Sequence, residues 1–223
     1  MDTQNRIKEL SEKITPERLQ KMRRALAWRT RKLAVVLEDI YQPHNAAAVM
    51  RSCDAFGIQN VFVIENRYPL KISGRVDTGA SKWLDITRFK SPTCTTAAAA
   101  KTREYNEFDI QNTKRAIARI KSLGYAVAAS TLREDSVNIG DIPLDRPVAI
   151  MMGTELTGLS QTAHECADIR FKLDMLGFAQ SLNLSVFTAV CLAKLSERIR
   201  AKDDSWKLSQ AEKDEILLKW LEP

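Results

Sequence analysis

Six short apolar runs recur along the chain with helix-forming stretches between them: AVVLEDI (34–40), VFVIE (61–65), LDITRFK (84–90), YAVAAST (125–131), VAIMMG (148–153) and IRFKLD (169–174). Brief apolar runs bounded by turn residues read as strands buried on both faces, and the stretches between them are long enough for helices. This alternation predicts an α/β fold: a mainly parallel sheet with helices on both faces. Helices are expected over 5–31, 45–56, about 113–123 closed by Gly124, 160–167, 182–201 and 206–221. Within the first, Thr15-Pro16-Glu17 forms an N-cap, an N1 proline and an acidic first turn. Residues 66–83 read as a long loop and 91–111 as ambiguous, because an alanine-rich piece runs into the polar TREYNEFD.

Ligands of such sheets usually sit at the carboxyl ends of strands. The unusual segments PHNAAAVMRSCDAFG (43–57), MMGTELTGLS (151–160) and LDMLGFAQSLNLSVFTAV (173–190) begin at or just after Ile40, Met152 and Leu173, each at such an end. In the third, Gln180, Ser181, Asn183 and Ser185 form a polar knot ahead of a buried apolar helix, as befits residues that favour caps over helix interiors. In the first, His44 or Asn45 is placed to cap the helix. Arg51 follows on an alanine-rich face, where a guanidinium needs an anionic partner, either a ligand or a structural salt bridge. In the second, Gly153 permits close approach of a ligand to the backbone, and Glu155 can accept hydrogen bonds or pair with a cation.

Several chemistries are excluded. No G-x-G-x-x-G follows the first strand, and GTELTGLS misses the phosphate-binding loop because Leu159 stands where the lysine should be. There is no G-x-S-x-G elbow. Four scattered cysteines and two histidines give no zinc ligand set, so no metal is expected. No run of 18 apolar residues and no signal-peptide core is present, so a cytoplasmic protein with reduced cysteines and no membrane span is expected. The formal charge of +6 favours a polyanionic partner. Between Pro16 and Lys32 there are seven Lys or Arg against one acid, and Lys194, Arg198, Arg200 and Lys202 form a second cluster. Each cluster alone suits a solvated helix face; two flanking one core favour RNA or DNA.

Asparagine and arginine six apart in NAAAVMR, the GTE…G turn, and SLNLSV at a helix start resemble the three motifs of the SpoU subgroup of SPOUT RNA 2′-O-methyltransferases. The resemblance covers residues 33–200 and is nearest to the members that methylate guanosine 18 in the D-loop of tRNA. It implies a basic N-terminal helical extension (1–32), a methyltransferase domain (33–201) with a C-terminal trefoil knot, and a C-terminal helical extension (202–223). It further implies S-adenosylmethionine as cofactor, tRNA as partner and a homodimer. Carried over, the cofactor contacts fall on Ser130, Gly153, Leu173 and Leu182, and the catalytic positions on Asn45, Arg51, Glu155, Ser181 and Asn183. The tRNA contacts fall on Lys82, in a mobile loop, and on arginines of the extensions: Arg23, Arg24, Arg29, Arg198 and Arg200. Arg51 would act as general base or as an electrostatic clamp, oriented by Asn45. Two departures stand out: Asp174 replaces a family proline, and residues 91–112 are longer and more polar than the family pattern. Alternatives within the resemblance are another tRNA position, ribosomal RNA, or an inactive RNA-binding protein of the same fold.

Overall fold

The computed structural model describes residues 3–96, 103–133, 135–154 and 156–222. Its centre is a seven-stranded, wholly parallel sheet: β1 (Thr30–Glu38), β2 (Ile58–Glu65), β3 (Asp85–Lys90), β4 (Ala126–Ser130), β5 (Val137–Asn138), β6 (Val148–Met152) and β7 (Ile169–Lys172). The spatial order is β3-β2-β1-β6-β4-β7-β5. β1 lies between β2 and β6, with Val35 opposite both Val61 and Ile150. The sixfold expectation of strands holds; β5, two residues long, was hidden in the segment read as a loop.

Successive side chains of a strand point to opposite faces. In β1, Leu33, Val35 and Leu37 therefore enter one apolar layer, with α3 (Pro43–Ala55) and α7 (Leu184–Lys202). Ala34 and Val36 enter the other, with α5 (Glu107–Ser122) and α6 (Gln161–Cys166). Burial on both faces is why these strands read as unbroken apolar runs rather than alternating ones.

A third apolar cluster lies apart from the sheet. It joins α1 (Thr3–Ser11), α2 (Pro16–Leu26) and α8 (Gln210–Leu221) through Ile7, Leu10, Met22, Leu26, Ile216, Leu217 and Trp220. The two ends of the chain thus form one helical layer. It packs at the amino ends of the strands: Trp83, just before β3, meets Trp220 edge-on, and Lys219 pairs with Asp85 at the start of β3.

Several boundaries differ from those expected. The helix read over 5–31 is two helices, because Thr15 caps α2 by accepting from the Arg18 N–H, and residues 30 and 31 already belong to β1. The loop 66–83 holds a turn of helix, α4 (Gly74–Asp77), and a 3₁₀ turn, Ala80–Trp83. Helix α5 starts six residues earlier than expected, at Glu107 rather than 113. There Asn106 and Asp109 form a reciprocal capping box inside the polar TREYNEFD. The remainder of that stretch braces the sheet: Tyr105 Oη donates to Asp39 (2.8 Å) and Arg103 to Asp109 (2.6 Å). Among the described residues no helix is long and apolar enough to cross a membrane.

Candidate active site

The carboxyl ends of β4, β6 and β7 open into a cavity of about 610 Å³. Ser130 is the last residue of β4, Gly153 follows β6, and Leu173 follows β7; all three line it, with Leu182 from the segment before α7. All four positions expected to hold the cofactor therefore share one wall-to-wall space. The turn after β6 closes on itself: Thr154 and Gly158 exchange backbone hydrogen bonds at 3.1 and 2.9 Å. A Cβ on Gly153 would lie 2.2 Å from the Gly158 backbone, so glycine is required there by contact with the turn itself.

The exit of this turn is tied to the sheet by a buried carboxylate. Glu38, at the end of β1, accepts from the Ser160 N–H (2.8 Å), the Ser160 hydroxyl (2.8 Å) and the Thr113 hydroxyl (3.0 Å). Ser160 in turn caps α6. Burial pushes the Glu38 carboxyl up to about 7, against the hydrogen bonds from Ser160 that favour its ionised form. Next to it Asp39 is held at φ 54 and accepts from the N–H groups of Asn66 (2.8 Å) and Arg67 (3.0 Å). A left-handed aspartate ringed by donors turns the chain off β1 toward α3.

The first and third segments meet at the same end of the sheet. Asn183 caps α7, accepting from the Ser185 N–H, and its amide donates to Asn45 Oδ1 at 3.2 Å. Asn45 itself donates to Gln42 at 3.1 Å. Pro43 occupies the first turn and Gln42 the cap, so neither His44 nor Asn45 caps α3, contrary to expectation; both lie inside the helix. Ser181 is exposed and lines the cavity. Glu155 lies outside the described residues.

Arg51 corrects a second expectation. It is exposed rather than set on the apolar face of α3, and its guanidinium donates to the Val76 carbonyl of α4 at 3.3 Å. Among the described residues no carboxylate pairs with it. The alanine-rich face and the arginine face are different sides of one helix, a distinction that residue composition does not carry. Asp174 is also settled by geometry: it accepts from Asn138 of β5 at 2.7 Å, while the cavity is lined by its neighbours Leu173 and Met175. The extra carboxylate pins the sheet edge.

The expected RNA contacts divide into two groups. Arg23, Arg24 and Lys82 are exposed. Lys82 sits in a turn held by Asp77, which accepts from the Ser81 N–H (3.0 Å) and hydroxyl (2.9 Å). Arg29 is only 2 % exposed; it pairs with Asp54, donates to the Ile58 carbonyl (3.1 Å) and stacks over Trp220. Burial pulls its pKa below the ordinary value while Asp54 opposes. Arg198 donates to the carbonyls of Ile139 and Ile142, and Arg200 to that of Phe56. These three arginines are held by internal partners, Arg29 buried and Arg198 and Arg200 half-buried.

Sequence reasoning missed part of the cavity wall: Thr131, Leu132 and Arg133 after β4, and His164 of α6. The strand-end rule would have found the first three. Burial, with Arg133 and Arg170 nearby, holds His164 below its ordinary pKa.

The sequence matches the model of the SpoU rRNA Methylase family over residues 32–106 and 90–193. A tRNA (guanosine(18)-2′-O)-methyltransferase from Borreliella burgdorferi is 35% identical over 98% of this chain and 91% of its own. A protein of the same description from Aquifex aeolicus is 28% identical over 93% of this chain and 90% of its own. The crystal structure of the A. aeolicus TrmH/SpoU tRNA modifying enzyme superposes with a TM-score of 0.72 at 28% identity, covering 92% of this chain and 95% of that one. With its three motifs gathered at the carboxyl ends of a parallel sheet, the chain belongs to the SpoU methylase family.

Proposed function

We propose that this protein transfers a methyl group from S-adenosylmethionine to a ribose 2′-hydroxyl of tRNA, at guanosine 18 of the D-loop. The observation that carries the reading is the single cavity in which Ser130, Gly153, Ser181, Leu173 and Leu182 meet; relatives named for this activity support its target. The fit to the cofactor rests on the chain itself. The closed Thr154–Gly158 turn presents backbone to the cavity beside apolar Leu159, Leu173 and Leu182, a mixture suited to a nucleoside with an aliphatic arm. When bound, the cofactor supplies an electrophilic methyl on a cationic sulfur.

Ser130, Gly153, Leu173 and Leu182 would hold it. Arg51, exposed beside α4, suits the clamp: it exchanges a long hydrogen bond to Val76 for the phosphate beside the target ribose and stabilises the developing alkoxide, whose proton passes to solvent. Asn45 and Asn183 fix the start of α3 against the start of α7, and Ser181 shapes the cavity rim. Glu155 belongs to the same constellation by motif.

The reading extends to a trefoil knot, a homodimer and a cytoplasmic setting. β4 and β5 are consecutive in the chain, yet β7 lies between them in the sheet, the strand arrangement in which a later segment can pass through the connection that joins them. Leu176 and Phe178 are fully exposed just beyond it, and Val186 is half-exposed on α7, an apolar face that a second copy would cover. The test is to incubate bulk unmodified tRNA with the protein and labelled S-adenosylmethionine and to map the labelled ribose. Label at guanosine 18 is expected. Label elsewhere in tRNA, or only in ribosomal RNA, replaces the target; no label with tight RNA binding replaces catalysis by scaffolding.

A further inference from the structure

Trp28 is 58% exposed, yet one face of its ring and its backbone are both packed. It follows α2 and precedes β1, and its ring stacks on buried Trp206 with centroids 5.7 Å apart and planes at 18°. The Arg200 guanidinium lies 5.1 Å from the Trp206 ring and 5.9 Å from that of Trp28, and it donates to the Phe56 carbonyl. The Trp28 backbone is pressed against Gly57, where a Cβ would stand 2.2 Å from the Trp28 carbonyl oxygen. Gly57, at φ 73, is thus the only kind of residue that lets the two segments meet. An indole fixed from below and open above is a pre-organised aromatic surface.

Its setting is cationic. Trp28 lines a cavity of about 320 Å³ that adjoins another of about 420 Å³; they share Ala25, Arg29 and Asp54 as walls. Arg18 and Lys21 line the second, and both are exposed on α2. An aromatic face at one end of a groove and unpaired basic side chains along it match the way single-stranded nucleic acid is held: bases stack on rings and cations follow the backbone.

We propose that Trp28 is a stacking platform for an unpaired base of the RNA substrate, with neighbouring phosphates held by Arg18 and Lys21. This rests on the reading of the chain as a methyltransferase of tRNA. The platform lies at the amino end of β1, whereas the cavity lies at the carboxyl ends. β1 pairs Leu37 with Met152 at the cavity, and the seven residue steps from Thr30 to Leu37 span roughly 23 Å. The stacked base is therefore remote from the methylated ribose, and the platform reads the body of a folded RNA.

The experiment is a filter-binding titration of bulk unmodified tRNA at several salt concentrations, with melting temperature and S-adenosylmethionine affinity measured alongside. Trp28→Ala is expected to weaken tRNA binding at least about fivefold with the salt slope unchanged, because stacking is not an ionic contact. Trp28→Phe should retain most of the affinity and the wild-type melting temperature. Lys21→Ala should instead lower the salt slope by about one. Wild-type affinity in Trp28→Ala, or equal loss in Trp28→Phe, overturns the platform, as does a drop in oligomeric state on sedimentation, which would make Trp28 a protein contact. A wild-type chain that methylates tRNA while Trp28→Ala binds normally sinks the platform alone. A wild-type chain that neither binds nor methylates tRNA sinks the underlying reading.

Discussion

The cavity at the carboxyl ends of the strands and the helical layer at their amino ends are built from different information. The cavity is made of residues whose chemistry is local: a glycine closed against its own turn, and strand ends that stop where a ligand can sit. The helical layer is made of arginines whose meaning is entirely tertiary. Arg24 and Arg29 lie five residues apart in one basic stretch, yet Arg24 is exposed and Arg29 is sealed between Asp54, the Ile58 carbonyl and Trp220. A spaced motif states a geometry, whereas a run of charge states only an average.

The largest test of this contrast concerns Arg51, a motif residue that, like Asn45 and Asn183, stands outside the cavity wall. Arg51→Ala should lower turnover by about 10²–10³ while leaving S-adenosylmethionine affinity, measured calorimetrically, within about twofold; equal loss of both would return Arg51 to a structural role. Gly153→Ala comes next, because its methyl collides with the Gly158 backbone rather than with a flexible side chain. Cofactor affinity should fall by at least about tenfold with tRNA affinity maintained. Unchanged cofactor binding would mean that the turn does not form the site.

In the helical layer the prediction is a split between neighbours. Arg29→Ala leaves Asp54 without its partner and should cost about 2–4 kcal/mol, visible as a fall in melting temperature of several degrees. Arg24→Ala should leave the melting temperature in place and lower the salt slope of tRNA binding by about one. If the two variants behave alike, the division between internal and external arginines fails.

The last test is a pH dependence. Glu38 has an ordinary value of 4.5 and a folded value of about 7, so the unfolded chain ionises first as pH rises. Stability contributed by the protonated carboxyl is present below about 4.5, is lost between 4.5 and 7, and is flat above. The total is on the order of 3 kcal/mol. Denaturation of Glu38→Gln against pH should lack this component, and a wild-type difference curve that is flat over that window would remove Glu38 as a titrating anchor of the turn.

The strands and the fold class were legible from sequence because they follow from local pattern, apolar runs and the turns that bound them, whereas the four cavity residues Ser130, Gly153, Leu173 and Leu182 came through the family resemblance that the three motifs carry. What stayed illegible shares one physical cause. The Asn106–Asp109 capping box sits in a polar stretch without apolar period, so the start of α5 was invisible until Asp109 met Ser91, Thr93 and Arg103. Asp174 looked like an intruder near the cofactor until Asn138, 36 residues away, took its carboxylate. The exposure of Arg51 depended on which side of α3 faces α7 and which faces α4. By itself, the sequence determined a parallel sheet with a ligand site at its carboxyl edge, since periodicity and spacing act over a few residues. Only the tertiary structure decided which charges are free, because the partner that neutralises or buries a charge is chosen by the whole fold and not by its neighbours in the chain.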